Sequence, residues 1–137
     1  FLRGHLEQMR RLSQALRERA PAAVAAWRDR LRGRVEELLS GTGVSAEGEA
    51  LERELAYLAE RSDITEELDR VDSHLQEVGR CLEADGPVGR RLEFLAQELG
   101  REANTLAAKV PEAEMGALAL RFRQAVDRMR QQVANVE

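Results

Sequence analysis

The spacing of apolar residues in the middle of the chain restricts its fold more than any other feature. From Ile64 to Leu82 the apolar positions follow one another at intervals of four, three, four, three and four residues. This spacing places the side chains on one face of an α-helix and does not fit the alternating faces of a strand. Apolar residues recur in a similar way along most of the chain, so we expect an all-α protein.

The composition agrees with this expectation. Leu, Ala, Glu and Arg favour helices and dominate the chain, which has only one Tyr, one Trp and three Phe among its 137 residues. A single Cys excludes an intramolecular disulfide and fits a reducing compartment, so we expect a cytoplasmic protein. No apolar run approaches about 20 residues, and we therefore expect no membrane span.

Charge is distributed unevenly. Residues 1–40 hold nine Arg against five acidic residues, a balance of +4, and residues 41–137 hold twelve basic residues against twenty acids, a balance of −8. The net charge of −4 does not by itself indicate a nucleic-acid-binding protein. The Arg-rich part could still lie against phosphate or pair with the acidic part, which in turn could hold a metal or simply be solvated.

Proline marks a boundary in the first part of the chain. Ala20-Pro21 predicts that one helix over residues 2–19 ends and a second over 21–40 begins, because Pro is unfavourable inside a helix but favourable in its first turn. These two helices would form a helical hairpin domain at residues 1–45. Trp27 lies on the apolar stripe of the second helix, where packing is a simpler role than base stacking.

The third segment is predicted as one long helix over residues 46–84. Its apolar stripe changes phase between Leu58 and Ile64, by about −120° of helical angle. A break at Ser62-Asp63 is the alternative, since Asp63 and Glu66 have the spacing of a capping box.

Two more helices complete the prediction, over residues 88–108 and from Pro111 to near the C-terminus. Short connections favour antiparallel packing of consecutive helices. We therefore predict long antiparallel helices, with the hairpin followed by a three-helix, bundle-like C-terminal domain at residues 46–137.

Polar residues with possible chemistry stack on one side of the third segment. Asp63, Glu67, Arg70 and His74 are spaced four, three and four residues apart, and Glu66 flanks them. Such a column could supply carboxylate and imidazole ligands to a divalent metal, or a base oriented by an acid. On spacing alone, a solvated face on which Glu67 pairs with Arg70 is the simpler interpretation.

The fourth segment has a similar column. It could be a row of weak surface ion pairs, or a polar cluster in a cleft with carboxylates for a metal and cations for phosphate. Asn104 lies at the edge of this column, and Arg90 and Arg91 precede it. Its members are Glu98, Arg101, Glu102, Thr105 and Lys109.

The order of these motifs resembles a known family. The matching strings are residues 60–68, 73–75, 86–98, 101–105, Lys109 and 130–137. Together they resemble the C-terminal domain of the YicC-like family of bacterial proteins, densely over residues 60–137 and more loosely over 9–59.

The resemblance implies an activity. Family members, long labelled stress-induced proteins, are endoribonucleases that need a divalent cation, here Mg²⁺ or Mn²⁺, and assemble into oligomeric rings. It implies RNA and further copies of the chain as partners, with a hexamer expected for the full-length protein. It also implies an N-terminal domain that this chain, which begins with Phe1, lacks, so we expect weak or absent activity from this part alone.

The resemblance also singles out residues by their matching positions, to which we assign roles on chemical grounds. Acids from both helices would face one cleft, and cations would hold the RNA backbone. The alternatives are a non-catalytic module that binds RNA or a ribonuclease, and an oligomerisation domain. The expected metal ligands are Asp63, Glu66, Glu67, Glu98 and Glu102; the expected catalytic residues are His74, Glu98 and Glu102; the expected RNA-binding residues are Arg90, Arg91, Arg101, Asn104 and Lys109.

Overall fold

The structure is a computed structural model that describes residues 2–43, 48–110 and 113–135. Within these ranges every regular element is a helix, which confirms the predicted all-α class. In chain order the helices are α1 (Leu2–Leu39), α2 (Glu49–Arg61), α3 (Thr65–Glu83), α4 (Gly89–Lys109) and α5 (Ala113–Ala134).

Four of these helices surround one apolar core. The first half of α1 packs against α3 and α5, and α4 packs against the same two helices. The apolar stripes seen in the sequence point into this core, because burying them removes hydrocarbon from water. Among the fully buried side chains are Met9, Leu16, Leu68, Leu75, Leu95, Leu99, Leu106 and Phe122.

Polar contacts across the helix pairs fix their directions. Along α1 and α3, Ser13 contacts Asp72 and Arg17 contacts Asp69, so the residue numbers run in opposite directions. Along α3 and α4, Glu77 contacts Arg91 and Arg70 contacts Glu102, so the numbers again run in opposite directions. The helix α3 is therefore antiparallel to both α1 and α4, as predicted for the consecutive helices α3 and α4.

The predicted helical hairpin with a turn at Pro21 is wrong, because α1 continues through this residue to Leu39. Proline inside a helix removes one hydrogen bond and costs roughly 3 kcal/mol. Pro21 is exposed, so water can reach the carbonyl group that its ring leaves without a donor. Burial of Leu16 and Ala23 on either side holds both halves of the helix in line.

The predicted continuous helix over residues 46–84 is also wrong. It breaks after Arg61, and Asp63 Oδ1 accepts hydrogen bonds from the amide of Thr65 at 2.9 Å and from its hydroxyl at 2.6 Å. These bonds satisfy polar groups at the start of α3 and so lower the free-energy cost of beginning a new helix there. The break turns Ile64 into the core, where it is buried.

The second half of α1 and the whole of α2 are packed much less tightly. Ala23 is the last residue of α1 that is buried, and Leu55 is the buried residue of α2. Leu38, near the end of α1, is 79% exposed. The predicted domain boundary between residues 45 and 46 and the predicted helix start at Pro111 lie outside the described residues.

Candidate functional site

Two glutamates are buried where α3 packs against α4. Glu67 of α3 is 3% exposed and Glu102 of α4 is 6% exposed. Each is adjacent in sequence to a buried core residue, Leu68 or Ala103. Each helix therefore has one polar position on the face that packs against the other helix. A buried carboxylate is costly unless cations and hydrogen bonds compensate for the water it has lost.

Two cations provide part of that compensation. Arg70 Nε donates to Glu102 Oε1 at 2.7 Å, and its Nη2 lies 3.7 Å from Glu67 Oε1. Lys109 Nζ donates to the same Glu67 oxygen at 2.6 Å and is 3.4 Å from the carbonyl oxygen of Asp63. We call Glu67, Arg70, Glu102 and Lys109 the ionic cluster; its four charges balance.

The ionic cluster leaves one oxygen of each glutamate without a partner. Neither Glu67 Oε2 nor Glu102 Oε2 is exposed, and neither accepts a hydrogen bond within the described parts of the chain. A buried acceptor without a donor destabilises the fold by about 1–3 kcal/mol, and more when it is charged. Such groups in native proteins call for an explanation, such as a bound ion or water.

Electrostatics at the edge of the cluster follow from these contacts. The hydrogen bond to Glu102 is the main cause that raises the pKa of Arg70 above its ordinary value. The two bonds from Thr65, the hydroxyl bond first, lower the pKa of Asp63, and the charge of Lys109 lowers it further. Both shifts favour the charged forms.

The other predicted metal ligands do not join Glu67 and Glu102. Glu66 points to solvent with its Oε2 3.8 Å from Arg70 Nη1, and Asp63 is engaged with Thr65 at the start of α3. Glu98 is paired with Arg101 at 3.8 Å. Over the described residues, no three His, Cys, Asp or Glu side chains form a group that could hold a metal ion.

The remaining predicted residues lie around the cluster rather than in it. His74, on α3 one turn beyond Arg70, is half-buried, and Arg90 and Asn104 are exposed on α4. Arg91 donates to Glu77 Oε1 at 3.3 Å and lies 5.3 Å from the centre of the Phe94 ring. Their predicted roles in catalysis and RNA binding stay predictions.

The two unpartnered glutamate oxygens are the atoms of the ionic cluster that could bind a divalent cation. Mg²⁺ in proteins often takes only one or two carboxylates and keeps several water molecules. Glu67 and Glu102 supply two carboxylates of that kind, held in place by Arg70 and Lys109 through their other oxygens. The chemistry of these two oxygens suits a hard cation, and the roles of Asp63, Glu66 and Glu98 as metal ligands stay predictions.

A second polar network lies between α1 and α3, and the sequence patterns do not predict it. Ser13 Oγ donates to Asp72 Oδ1 at 2.8 Å, and Arg17 Nη2 donates to Asp72 Oδ2 at 2.8 Å and to Asp69 Oδ1 at 3.0 Å. The one available signal is that Ser13 lies between the apolar positions of the first helix. We call these four residues the α1–α3 clasp.

The chain thus belongs to the class of all-α helical bundles, with a buried ionic cluster between two of its helices. The model of the family "Endoribonuclease YicC-like, C-terminal" matches residues 16–137. The probable endoribonuclease YicC of Haemophilus influenzae is 38% identical over 122 residues, which is 89% of this chain and 41% of that protein. The probable endoribonuclease YicC of Clostridioides difficile is 30% identical over 137 residues, which is 100% of this chain and 44% of that protein.

The chain therefore belongs to the YicC-like endoribonuclease family and matches its C-terminal region. It spans less than half the length of these two curated relatives. Among the described residues, no helix is both long and apolar enough to cross a membrane.

Proposed function

We propose that this chain carries carboxylates of a divalent-metal-dependent endoribonuclease centre that hydrolyses RNA phosphodiester bonds. The observation that carries the proposal is the pair of unpartnered oxygens on Glu67 and Glu102. Two relatives, each named a probable endoribonuclease, support the reaction class. Structural ion pairs seldom need to leave two buried oxygens unsatisfied.

The ionic cluster suits this chemistry because its glutamates and its cations would have different roles. Glu67 and Glu102 would hold Mg²⁺ or Mn²⁺, which when bound activates water and neutralises charge at a phosphate. Arg70 fixes the carboxylate of Glu102, and Lys109 fixes that of Glu67. The Lys109 side chain is 35% exposed, so its ammonium group can also meet a phosphate that approaches from solvent.

The residues around the cluster have supporting parts in the proposal. Exposed Arg90, Arg101 and Asn104 would contact the RNA backbone, and half-buried His74 would carry a proton. Assembly of copies into a hexameric ring is a further expectation from the family resemblance, and a cytoplasmic location is one from the single Cys.

A non-catalytic module that binds RNA or a ribonuclease is the second candidate. The charge balance of the ionic cluster favours it, since Arg70 and Lys109 already neutralise both glutamates. In that case the cluster would only join α3 to α4.

Cleavage of a structured RNA by the complete protein separates the two candidates. We expect cleavage with Mn²⁺ and none with EDTA, and we expect Glu102→Gln to lower the rate about 100-fold or more, as loss of a group needed in the transition state does. Glu93→Gln is the matched control, because Glu93 is an exposed glutamate on the same helix. Equal cleavage under all these conditions would exclude the metal mechanism.

A further inference from the structure

An open cavity adjoins the ionic cluster on the side of the loosely packed helices. Its volume is about 580 Å³, within the usual range for sites that bind small molecules. It lies where the second half of α1, the end of α2 and the end of α4 meet. Its lining residues are Trp27, Leu58, Arg61, Ser62, Ala108 and Lys109.

Lys109 belongs to both the cavity and the ionic cluster. Its side chain lines the cavity, and its Nζ lies 2.6 Å from Glu67 Oε1. A molecule in the cavity is therefore next to the proposed catalytic centre. The break between α2 and α3 lies at the same place. Ser62 lines the cavity, and the backbone carbonyl oxygen of Asp63 is 3.4 Å from Lys109 Nζ.

A flat aromatic ring and two cations give the cavity a definite chemical character. Trp27 is partly exposed and makes no hydrogen bond within the described residues. Arg61 has no carboxylate partner in that part of the chain, and its Cζ lies 5.8 Å from the centre of the Tyr57 ring, which orients the guanidinium group. A nucleotide matches this cavity, since its base could stack on the aromatic face and its phosphate could pair with Arg61, which no described carboxylate neutralises, and with the partly exposed Lys109.

We propose that this cavity is a subsite for one nucleotide of single-stranded RNA. The base stacks on Trp27, and the phosphate lies between Arg61 and Lys109, at the edge of the ionic cluster. The proposal deepens the RNA-cleaving function proposed above and rests on it for the choice of RNA. It also gives a function to the apolar stripe of α1 beyond Ala23, which the core of the bundle does not use.

Trp27 allows a direct test, because it is the single tryptophan of the sequence. A six-nucleotide single-stranded RNA is titrated in EDTA into the complete protein and into its Trp27→Leu variant, and the difference between their tryptophan emissions reports on Trp27. We expect saturable quenching, since stacking changes the environment of the indole. Binding of the same RNA, seen by anisotropy of an end label, without any quenching would overturn the subsite.

Variants separate stacking from general charge attraction. Trp27→Leu is expected to weaken binding of the labelled RNA at least 5-fold, as loss of one stacked base is worth roughly 5- to 150-fold. Arg61→Gln is expected to weaken it by a similar factor, whereas Arg53→Gln, an exposed arginine on the same helix, changes it less than about 2-fold. Unchanged binding by Trp27→Leu, or equal weakening by both arginine variants, would overturn the proposal.

The fluorescence test and the cleavage test fail independently. Quenching with the expected variant pattern but no Mn²⁺-dependent cleavage would keep the subsite and exclude the proposed nuclease. Mn²⁺-dependent cleavage by a protein that shows no quenching would keep the nuclease and exclude the subsite. Thermal melting of Trp27→Leu checks that the variant retains its fold.

Discussion

The helix α3 takes part in two ionic networks that are built differently. In the α1–α3 clasp, both oxygens of Asp72 accept hydrogen bonds, and Asp69 has a side chain that is 65% exposed, so water can complete its bonds. In the ionic cluster, two carboxylates are buried and each has an oxygen that no described group satisfies. The hydrogen bond to Asp72 is also the main cause that raises the pKa of Arg17 above its ordinary value.

The difference teaches which network contributes to the fold. A network that is satisfied at a partly hydrated surface stabilises the docking of one helix on another at low cost. Buried ion pairs often stabilise no more than well-packed apolar side chains of similar volume, and unsatisfied ones stabilise less. Packing of α1 on α3 therefore explains the clasp, whereas the two unpartnered oxygens of the ionic cluster are what the proposed divalent cation would satisfy.

The largest effect on stability is expected when one charge of the ionic cluster is removed alone. Glu67→Ala leaves Lys109 without its carboxylate and opens a small cavity. We expect a loss of about 2–4 kcal/mol in the free energy of unfolding, near the low end for buried pairs because Lys109 reaches water. Urea denaturation measures this loss.

Removal of both charges of that pair sharpens the comparison. Glu67→Leu combined with Lys109→Met replaces an ion pair by apolar side chains of similar volume. We expect the double variant to be about as stable as the parent protein, or more stable by about 1–3 kcal/mol. A double variant as unstable as Glu67→Ala would mean that the cluster is there for stability, like the clasp.

The clasp is expected to respond more moderately. Asp72→Asn removes the charge that Arg17 contacts at 2.8 Å while keeping an oxygen for Ser13. We expect a loss of about 1–2 kcal/mol by urea denaturation. Asp69→Asn is the matched control, with an expected loss below about 1 kcal/mol because this pair is exposed. Equal losses would contradict the assignment of Asp72 as the centre of the clasp.

The smallest effect concerns the start of α3 and depends on pH. The bonds from Thr65 lower the pKa of Asp63, so the folded state favours its charged form. This contribution is fully present above the ordinary pKa of about 4 and is lost as the pH falls through the lowered value. Asp63→Asn should reduce stability by about 0.5–1 kcal/mol at neutral pH and by less in acid. A loss that grows as the pH falls would contradict this account.

The sequence predicts the helices well where side chains enter the core. The stripe from Ile64 to Leu82 and those of the last two helices identify their buried faces, because burial and periodicity have the same physical origin. It fails at Pro21 and at Asp63 for opposite reasons. Packing on both sides carries α1 through a proline, and a local side-chain bond at Asp63 starts α3 where no strong helix breaker stands.

The candidate site is only partly accessible to sequence reasoning. Glu67, Glu102 and Lys109 stand out as polar positions on two helices, and the structure brings them together. That Arg70 of α3 reaches across to Glu102, rather than only pairing within its own helix, depends on how the two helices are aligned. Periodicity gives the face of each helix but not this alignment, which also leaves Glu98 with Arg101.

The central proposal is that the unpartnered oxygens of Glu67 and Glu102 bind a divalent cation. Binding of Mn²⁺ tests it most directly. Calorimetric titration of the complete protein should show Mn²⁺ binding that is lost in Glu102→Gln and retained in Asp72→Asn. Thermal melting should agree, since a ligand that binds only the folded state raises the melting temperature. Mn²⁺ binding that is absent from the parent protein, or unchanged in Glu102→Gln, would contradict the account.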